Sequence, residues 1–576
     1  MGFGKSNNGM PSFQSLVAAI GAFAVLVAGG CGDGGGIGEP PPAATRDAGP
    51  DTAAKQGNSS KSGGTASNAA SIAEARPAPP SETGEQLFQR HCAACHGERG
   101  DGQGLAARFL FPRPRNLRGS SFRLVSTTTG VPTRADLQAV LLRGMPGSSM
   151  PPWGHLSEAD RGRLIDEVLR LRTEGAREKY LRKLKEEDEL SDEEIAAEDV
   201  QQEIREFVER SMTPGEALAV PQIGEPTSES IASGKEIYVK AGCQQCHGAE
   251  GKGDGVQKMV DAEMLPTSPR DFTMGIFKGG HDAESLYRRT AYGMPGTPMP
   301  SSPTLTPEQI VDLVHFVRSL STEEARQAAV LRRERIVARR VGAIPDALNA
   351  EAWQGTAVTL RTAPLWWRNG GDRDLTVGAL HDGSSLAIRL SWFDGSENLH
   401  APQPERFKDL AAVQLYAGVA EPFLGMGAEK SALDIWQWRA GAGEDRGRES
   451  QLDDYPFDAP VYSELADGQP LPDFVAARAA GNPLSDATRS GWSLAAKGPG
   501  SLTFMPRPSQ LIEANAEWKD GRWTVVLKRP LAVPAEAGLS LRLNASYSAA
   551  FAVWDGETRD RAGQKSITIW QDLVLE

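Results

Sequence analysis

The sequence contains the pentapeptide Cys-x-x-Cys-His twice, as Cys92-Ala-Ala-Cys95-His96 and Cys243-Gln-Gln-Cys246-His247. Each copy opens a longer repeat. Gly84-Glu-Gln-Leu-Phe leads into the first motif and Gly234-Lys-Glu-Ile-Tyr into the second. Gly-Asp-Gly-Gln-Gly at 100–104 is matched by Gly-Lys-Gly-Asp-Gly at 251–255, and Pro114-Arg115-Asn116-Leu117 by Pro269-Arg270-Asp271-Phe272. Gly144-Met145-Pro146-Gly147-Ser148-Ser149-Met150-Pro151 is matched by Gly293-Met294-Pro295-Gly296-Thr297-Pro298-Met299-Pro300. Such a duplication predicts two tandem domains of one fold. At 576 residues the chain is too long for one hydrophobic core, and three or so domains are expected.

The motif has a direct chemical reading. Two thiols one helical turn apart can both add to the vinyl groups of one haem, and the next residue, His96 or His247, then lies under the iron. A single motif would also suit a redox dithiol or half a zinc site. Two motifs in matching repeats, each followed by Met-Pro at 54 or 52 residues from the histidine, argue against both alternatives. Four of the five cysteines are used this way and the fifth is Cys31, so none is left for a structural disulfide. The second iron ligand is expected to be a methionine, whose soft thioether favours Fe(II) and raises the potential. Met150 and Met299 are preferred, with Met145 and Met294 as alternatives. His91, His155, His281 and His315 are read as surface or structural residues.

The N-terminus reads as a targeting segment: Lys5, then an apolar run from Leu16 to Ala28, then Gly29, Gly30 and Cys31. Small residues before a cysteine resemble a bacterial lipobox, with Cys31 as the lipidated residue, which predicts an exported, periplasmic protein anchored to the membrane by lipid. The competing reading is an ordinary secretory signal. A formal charge of −13 and a pI near 5.3 argue against a nucleic-acid partner.

The expected organisation is a signal and lipobox over 1–31, a Gly/Pro/Ala/Ser-rich tether over 32–80, and an all-α first domain over 81–175. A charged helical linker follows over 176–229, then an all-α second domain over 230–322, a helical linker over 323–345 and an all-β sandwich over 346–576. Each repeat ends in a capped helix, after Ser157 and after Thr306. In the last region, alternation at 386–392 and strand-like runs at 411–416, 433–438, 523–527, 539–543, 549–554 and 566–570 support the sandwich, and most of the tryptophans lie there.

Residues 81–172 and 230–321 resemble class I cytochrome c domains, on the strength of Cys-x-x-Cys-His with a late Met-Pro. The resemblance implies a small helical fold wrapped on a covalent haem c in each repeat, and it makes Arg115 and Arg270 partners for haem propionates. Solvent-exposed surface arginines are the alternative. The last 230 residues resemble the haem-b-binding γ subunit of the ethylbenzene and dimethylsulfide dehydrogenase type. The segments carrying this are Ala412-Val-Gln-Leu-Tyr416, Pro422-Phe-Leu-Gly-Met426-Gly427, Asp434-Ile-Trp-Gln-Trp438, Asp520-Gly-Arg-Trp-Thr-Val-Val-Leu-Lys-Arg-Pro-Leu531 and Phe551-Ala-Val-Trp-Asp-Gly556. That resemblance implies one non-covalent haem b between a methionine, Met426, and a lysine, Lys565 first and Lys497 second. A lysine ligand must be deprotonated and hence desolvated.

The resulting expectation is a multihaem electron-relay subunit rather than an enzyme in itself. Its partners would be redox proteins, in particular the catalytic and iron–sulfur subunits of a periplasmic molybdenum oxidoreductase. Two rivals remain: a di-haem peroxidase-like enzyme, and cytochromes fused to a ligand-binding β-sandwich.

Overall fold

The computed structural model describes residues 81–370, 374–399, 406–427, 433–441 and 489–576. The apolar run at 16–28 and Cys31 lie outside these residues. Among the described residues, no helix is long and apolar enough to cross a membrane.

The two repeats build the same helical frame. In the first, α1 (Gly84–His91) and the single-turn α2 (Ala93–His96) precede α3 (Arg134–Arg143) and the long α4 (Glu158–Glu186). α1 begins in a capping box, with Thr83 accepting from the Gln86 amide and Gln86 reaching back. Gly84 sits against the Arg163 backbone of α4, where a β-carbon would collide with the carbonyl. This lets the first and last helices of the domain cross closely. Leu87, Phe88, Leu164 and Leu171 fill the crossing.

α4 does not stop with its domain. It runs into the linker and meets α5 (Asp192–Ile195) and α6 (Glu198–Met212), so the linker is a packed helical hairpin rather than a single solvated helix. Tyr180 stacks on Phe207 at 4.3 Å over Leu184, Ile195 and Ile204. The second repeat follows with α7 (Ser228–Lys240), α8 (Gln244–His247), the two-residue strands β1 (Met259–Val260) and β2 (Pro266–Thr267), α9 (Ala283–Tyr292) and α10 (Pro307–Ser319). Gly234 meets the Asp312 backbone of α10 as Gly84 meets α4, which explains why the repeat keeps this glycine.

The stretch after 322 corrects the sequence reading. Only α11 (Glu323–Ala328) is helical, and β3 (Arg335–Arg340) is a strand. Ile336 and Ala338 are fully buried while Arg335, Val337 and Arg339 between and beside them are not, a period-two pattern that the dense charge obscured.

The C-terminal region comprises β4 (Val358–Arg361), β5 (Ala363–Pro364), β6 (Asp374–His381), β7 (Ser385–Phe393), β8 (Leu410–Tyr416), β9 (Leu433–Arg439), β10 (Gly491–Ala496), β11 (Thr503–Phe504), β12 (Glu513–Lys519), β13 (Arg522–Pro530), β14 (Ala545–Trp554), β15 (Ser566–Ile567) and β16 (Gln571–Leu575). Among the described residues, these and β3 form one hydrogen-bonded sheet whose main path runs β11-β10-β9-β8-β14-β16-β3-β6-β7-β13-β12, with β4 paired to β6 and β15 paired to β14 and β5 off that path. Both halves of that path contribute to one core, in which Val377, Leu390 and Val525 share a cluster with Val413, Trp436 and Phe551. The sheet therefore folds over on itself instead of splitting in two. The bridge is β3, parallel to both β16 and β6.

The run 539–543 is not a strand. Its backbone is used locally: the Leu539 amide donates to Asp434 at 2.9 Å, Leu541 to the Leu531 carbonyl at 2.8 Å and Arg542 to the Tyr547 hydroxyl at 2.7 Å. Of 566–570 only the first two residues pair as a strand.

Backbone and side-chain bonds tie the first cytochrome-like domain to the sheet. The Phe111 amide donates to Leu365 O at 3.0 Å and the Trp367 amide to Phe111 O at 2.9 Å. Phe109 packs where Gly563 lacks a side chain. The second helical domain is held by Asn369, whose amide donates to Pro269 O at 2.9 Å.

Candidate haem sites

In the first repeat, α1 ends at Cys92 and α2 turns the motif so that Cys92, Cys95 and His96 line one cavity. The loop after the motif is pressed against it, with Gly104 on the Ala93 and Ala94 carbonyls where no β-carbon fits. His96 Nδ1 lies 2.8 Å from the Arg115 carbonyl. With that nitrogen donating, Nε2 keeps its lone pair for a metal. Burial pushes both thiols up to about 12, so they are neutral rather than the thiolates of a redox pair.

The methionine loops are built identically in the two repeats. The Met145 amide donates to Met150 O at 3.1 Å, and the Met294 amide to Met299 O at 3.2 Å. The Met150 amide donates to Ser148 Oγ at 3.3 Å and the Met299 amide to Thr297 Oγ1 at 3.2 Å. Gly144 and Gly293, at φ of +68° and +72°, make the tight return possible. Met145 and Met150 both border the first cavity, and Met150 packs with Cys92 against the helical core.

In the second repeat Cys243 and Cys246 are half-buried, and His247 stacks on Phe272 at 4.7 Å. Burial lowers the His247 pKa to about 4, which keeps its imidazole neutral. Among the histidines read as structural, His91 is buried against Trp153 at 5.1 Å, and His315 bonds Ser230 Oγ at 2.9 Å and lies 3.0 Å from Gly224 O.

The cavity does not end with the first helical domain. Its volume is about 430 Å³, within the range of cofactor sites, and it continues into the sheet region. There it is lined by Phe423, Met426, Ile435, Phe551, Trp554 and Lys565, among others. Lys565 Nζ stands 3.5 Å from Met426 Sδ and 4.9 Å from the centre of the Trp554 ring. Burial lowers its pKa to about 8. Met426 has φ +85°, a strained conformation for a side-chain-bearing residue, and its loop is pinned from several directions. Gln414 of β8 donates to Leu424 O at 2.7 Å, the Gly427 amide to Phe423 O at 3.0 Å and the Gly498 amide to Met426 O at 2.8 Å. Lys497, the second lysine candidate, is exposed to solvent and does not border the cavity.

Arg115 and Arg270 are not free surface arginines. Arg270 is 4% exposed and its guanidinium lies 5.1 Å from the Trp367 ring. Arg115 lines the first cavity and grips Glu263 of the second repeat with 2.8 and 3.0 Å bonds. Two further cations meet there that the sequence reading passed over. Arg123 pairs with Asp261 at 2.7 Å, and Lys278 borders the first cavity from the second repeat. Their signal was present, since each stands eight residues after its repeat's Pro-Arg.

The donor sets fit haem: in the first repeat, a histidine with Nδ1 engaged, two neutral thiols and a methionine on the same apolar cavity, and in the C-terminal domain a desolvated amine against a thioether. The comparisons agree. The family profile described as cytochrome c matches residues 231–321, and that of the cbb3-type cytochrome c oxidase subunit III matches 79–166. The ethylbenzene dehydrogenase profile matches 350–566. A putative respiratory nitrate reductase haem subunit of Haloferax mediterranei is 28% identical over 233 residues, 39% of this chain and 67% of the relative. The chlorate reductase γ subunit of Ideonella dechloratans is 29% identical over 259 residues, 43% of this chain and 88% of the relative. Among solved structures, a chain of the Kuenenia stuttgartiensis reducing HAO-like protein complex is 30% identical, with a TM-score of 0.33, covering 42% of this chain and 97% of that one. The chain thus consists of two cytochrome c domains followed by a domain of the ethylbenzene dehydrogenase family.

Proposed function

We propose that this protein is an electron-relay subunit of a periplasmic molybdenum oxidoreductase, with a haem c on Cys92, Cys95, His96 and Met150, a second on Cys243, Cys246, His247 and Met299, and a haem b between Met426 and Lys565. Bound there, the haems supply a reversible one-electron Fe(III)/Fe(II) couple. The chain's residues fix the ligands, exclude water and set the potentials. The observation carrying this reading is the shared cavity, in which the first cytochrome site and the Met426–Lys565 site open into one apolar chamber. The resulting order of sites is the C-terminal domain, then the first cytochrome domain, then the second.

Nitrate and chlorate reductase subunits among the relatives support a reductase partner with its own catalytic and iron–sulfur subunits. An exported location follows from covalent haem c together with the N-terminal segment, and the lipid anchor on Cys31 belongs to the same proposal.

The test is haem type and number on purified full-length protein. Two c haems and one b haem per chain, all low-spin, are expected. A high-spin c haem with hydrogen-peroxide turnover would replace the relay by the peroxidase reading. A C-terminal domain without b haem that binds sugars would favour the ligand-binding one.

A further inference from the structure

Between the two cytochrome domains the repeat makes a reciprocal contact. Arg270 of the second repeat lies against Gly147 in the methionine loop of the first, where a β-carbon would strike its side chain. Gly296, the matching glycine, has Arg115 of the first repeat among its nearest neighbours. Arg123 and Lys278 occupy equivalent positions behind these arginines. The arrangement is not balanced, however. Arg115 is paired with Glu263 and Arg123 with Asp261, whereas Lys278 has no ion pair or hydrogen bond among the described residues. It borders the cavity that also holds Cys92, Cys95, His96 and Met150.

We infer that Lys278 of the second cytochrome domain, with Arg115 and Arg123, forms an anion site for the propionate carboxylates of the haem held by the first domain. The second domain thereby completes the first domain's site. The inference rests on the first motif carrying haem. A buried amine facing guanidiniums is unfavourable without a counter-charge, and burial with Arg270, Arg123 and Arg115 nearby holds the Lys278 pKa well below the ordinary value. A carboxylate in the cavity removes that conflict and restores the ammonium, with charge-assisted hydrogen bonds as the gain.

The residue is a positioning and potential-setting one. A positive charge beside the haem favours the reduced iron, so its loss lowers the potential. The experiment is spectroelectrochemical titration of the full-length haem-loaded protein with Lys278→Met and Lys278→Arg. Lys278→Met should keep two covalent haems and weaken reduction of one by about tenfold, a shift of about 59 mV for one electron. The wave that moves should be the one that Met150→His also moves, and Lys278→Arg should return it toward the original position. An unmoved wave, a shift confined to the other c haem, or Lys278→Arg behaving as Lys278→Met would overturn the inference. Finding no covalent haem on Cys92 and Cys95 in the unsubstituted protein would remove the reading beneath it instead.

Discussion

Lys565→Met separates a ligand from a merely buried lysine, because the two readings predict opposite signs. Burial holds the folded-state pKa near 8 against an ordinary 10.5. The folded chain therefore binds fewer protons than the unfolded one between those values. Its stability rises with pH across that window and is reduced at every pH below it. At 1.36 kcal/mol per pH unit, the burden at pH 7 is about 3 kcal/mol. In protein stripped of its non-covalent haem, Lys565→Met should accordingly raise stability by about 3 kcal/mol at pH 7. The gain should fade above pH 10.5. Methionine also keeps an apolar contact on Trp554, where Lys565 now lies. In the loaded protein the same substitution should cost the b haem or its low-spin spectrum, and leave both c haems. Denaturant unfolding followed by tryptophan fluorescence at pH 7 and 10.5, with haem stoichiometry on the loaded protein, measures both arms. A destabilised stripped variant, or an unchanged b spectrum, would refute the reasoning.

Met150→Ala should turn one c haem high-spin and lower its potential, whereas Met145→Ala should leave the spectrum unchanged; Met299 and Met294 should divide the same way. Asp394, Asp409 and Asp555 lie within 4.8 Å of one another, and burial raises their pKa values, to about 7 for Asp394 and about 6 for Asp409. The folded state holds these protons more tightly than the unfolded one, so their contribution to stability declines as pH rises from about 4 to about 7. Melting curves should show that slope, flattened in Asp394→Asn. Arg529 is fully buried and bonds Asp434 at 2.6 Å, so Arg529→Met should destabilise the C-terminal domain by about 3–5 kcal/mol through the stranded carboxylate, with part recovered by adding Asp434→Asn.

Local chemistry made much of this protein legible. Cys92, Cys95 and His96 are contiguous, so their geometry is fixed by one helical turn, and the duplicated motif announced the second site without any tertiary information. The capped helices after Ser157 and Thr306 and the strands around 386–392 and 411–416 were equally readable, because their signals span a few residues. β3 was misread because its two buried residues are outnumbered by arginines, and only its neighbours β16 and β6 give Ile336 and Ala338 a place to be buried. The run 539–543 failed in the opposite way: its alternation is strand-like, but its amides found Asp434, Leu531 and Tyr547 before any strand edge.

From the order of residues alone one learns which side chains can attach a haem. Tertiary structure decided which sites share a chamber and which lysine is dry. Lys565 and Lys497 look alike as letters, yet one lies in an apolar cavity against Met426 and the other in water. Burial is a property of everything packed around a residue, and here that packing comes from Phe109, Trp554 and Met426, hundreds of positions apart in the chain. Desolvation and long-range charge are sums over neighbours that a linear sequence does not name.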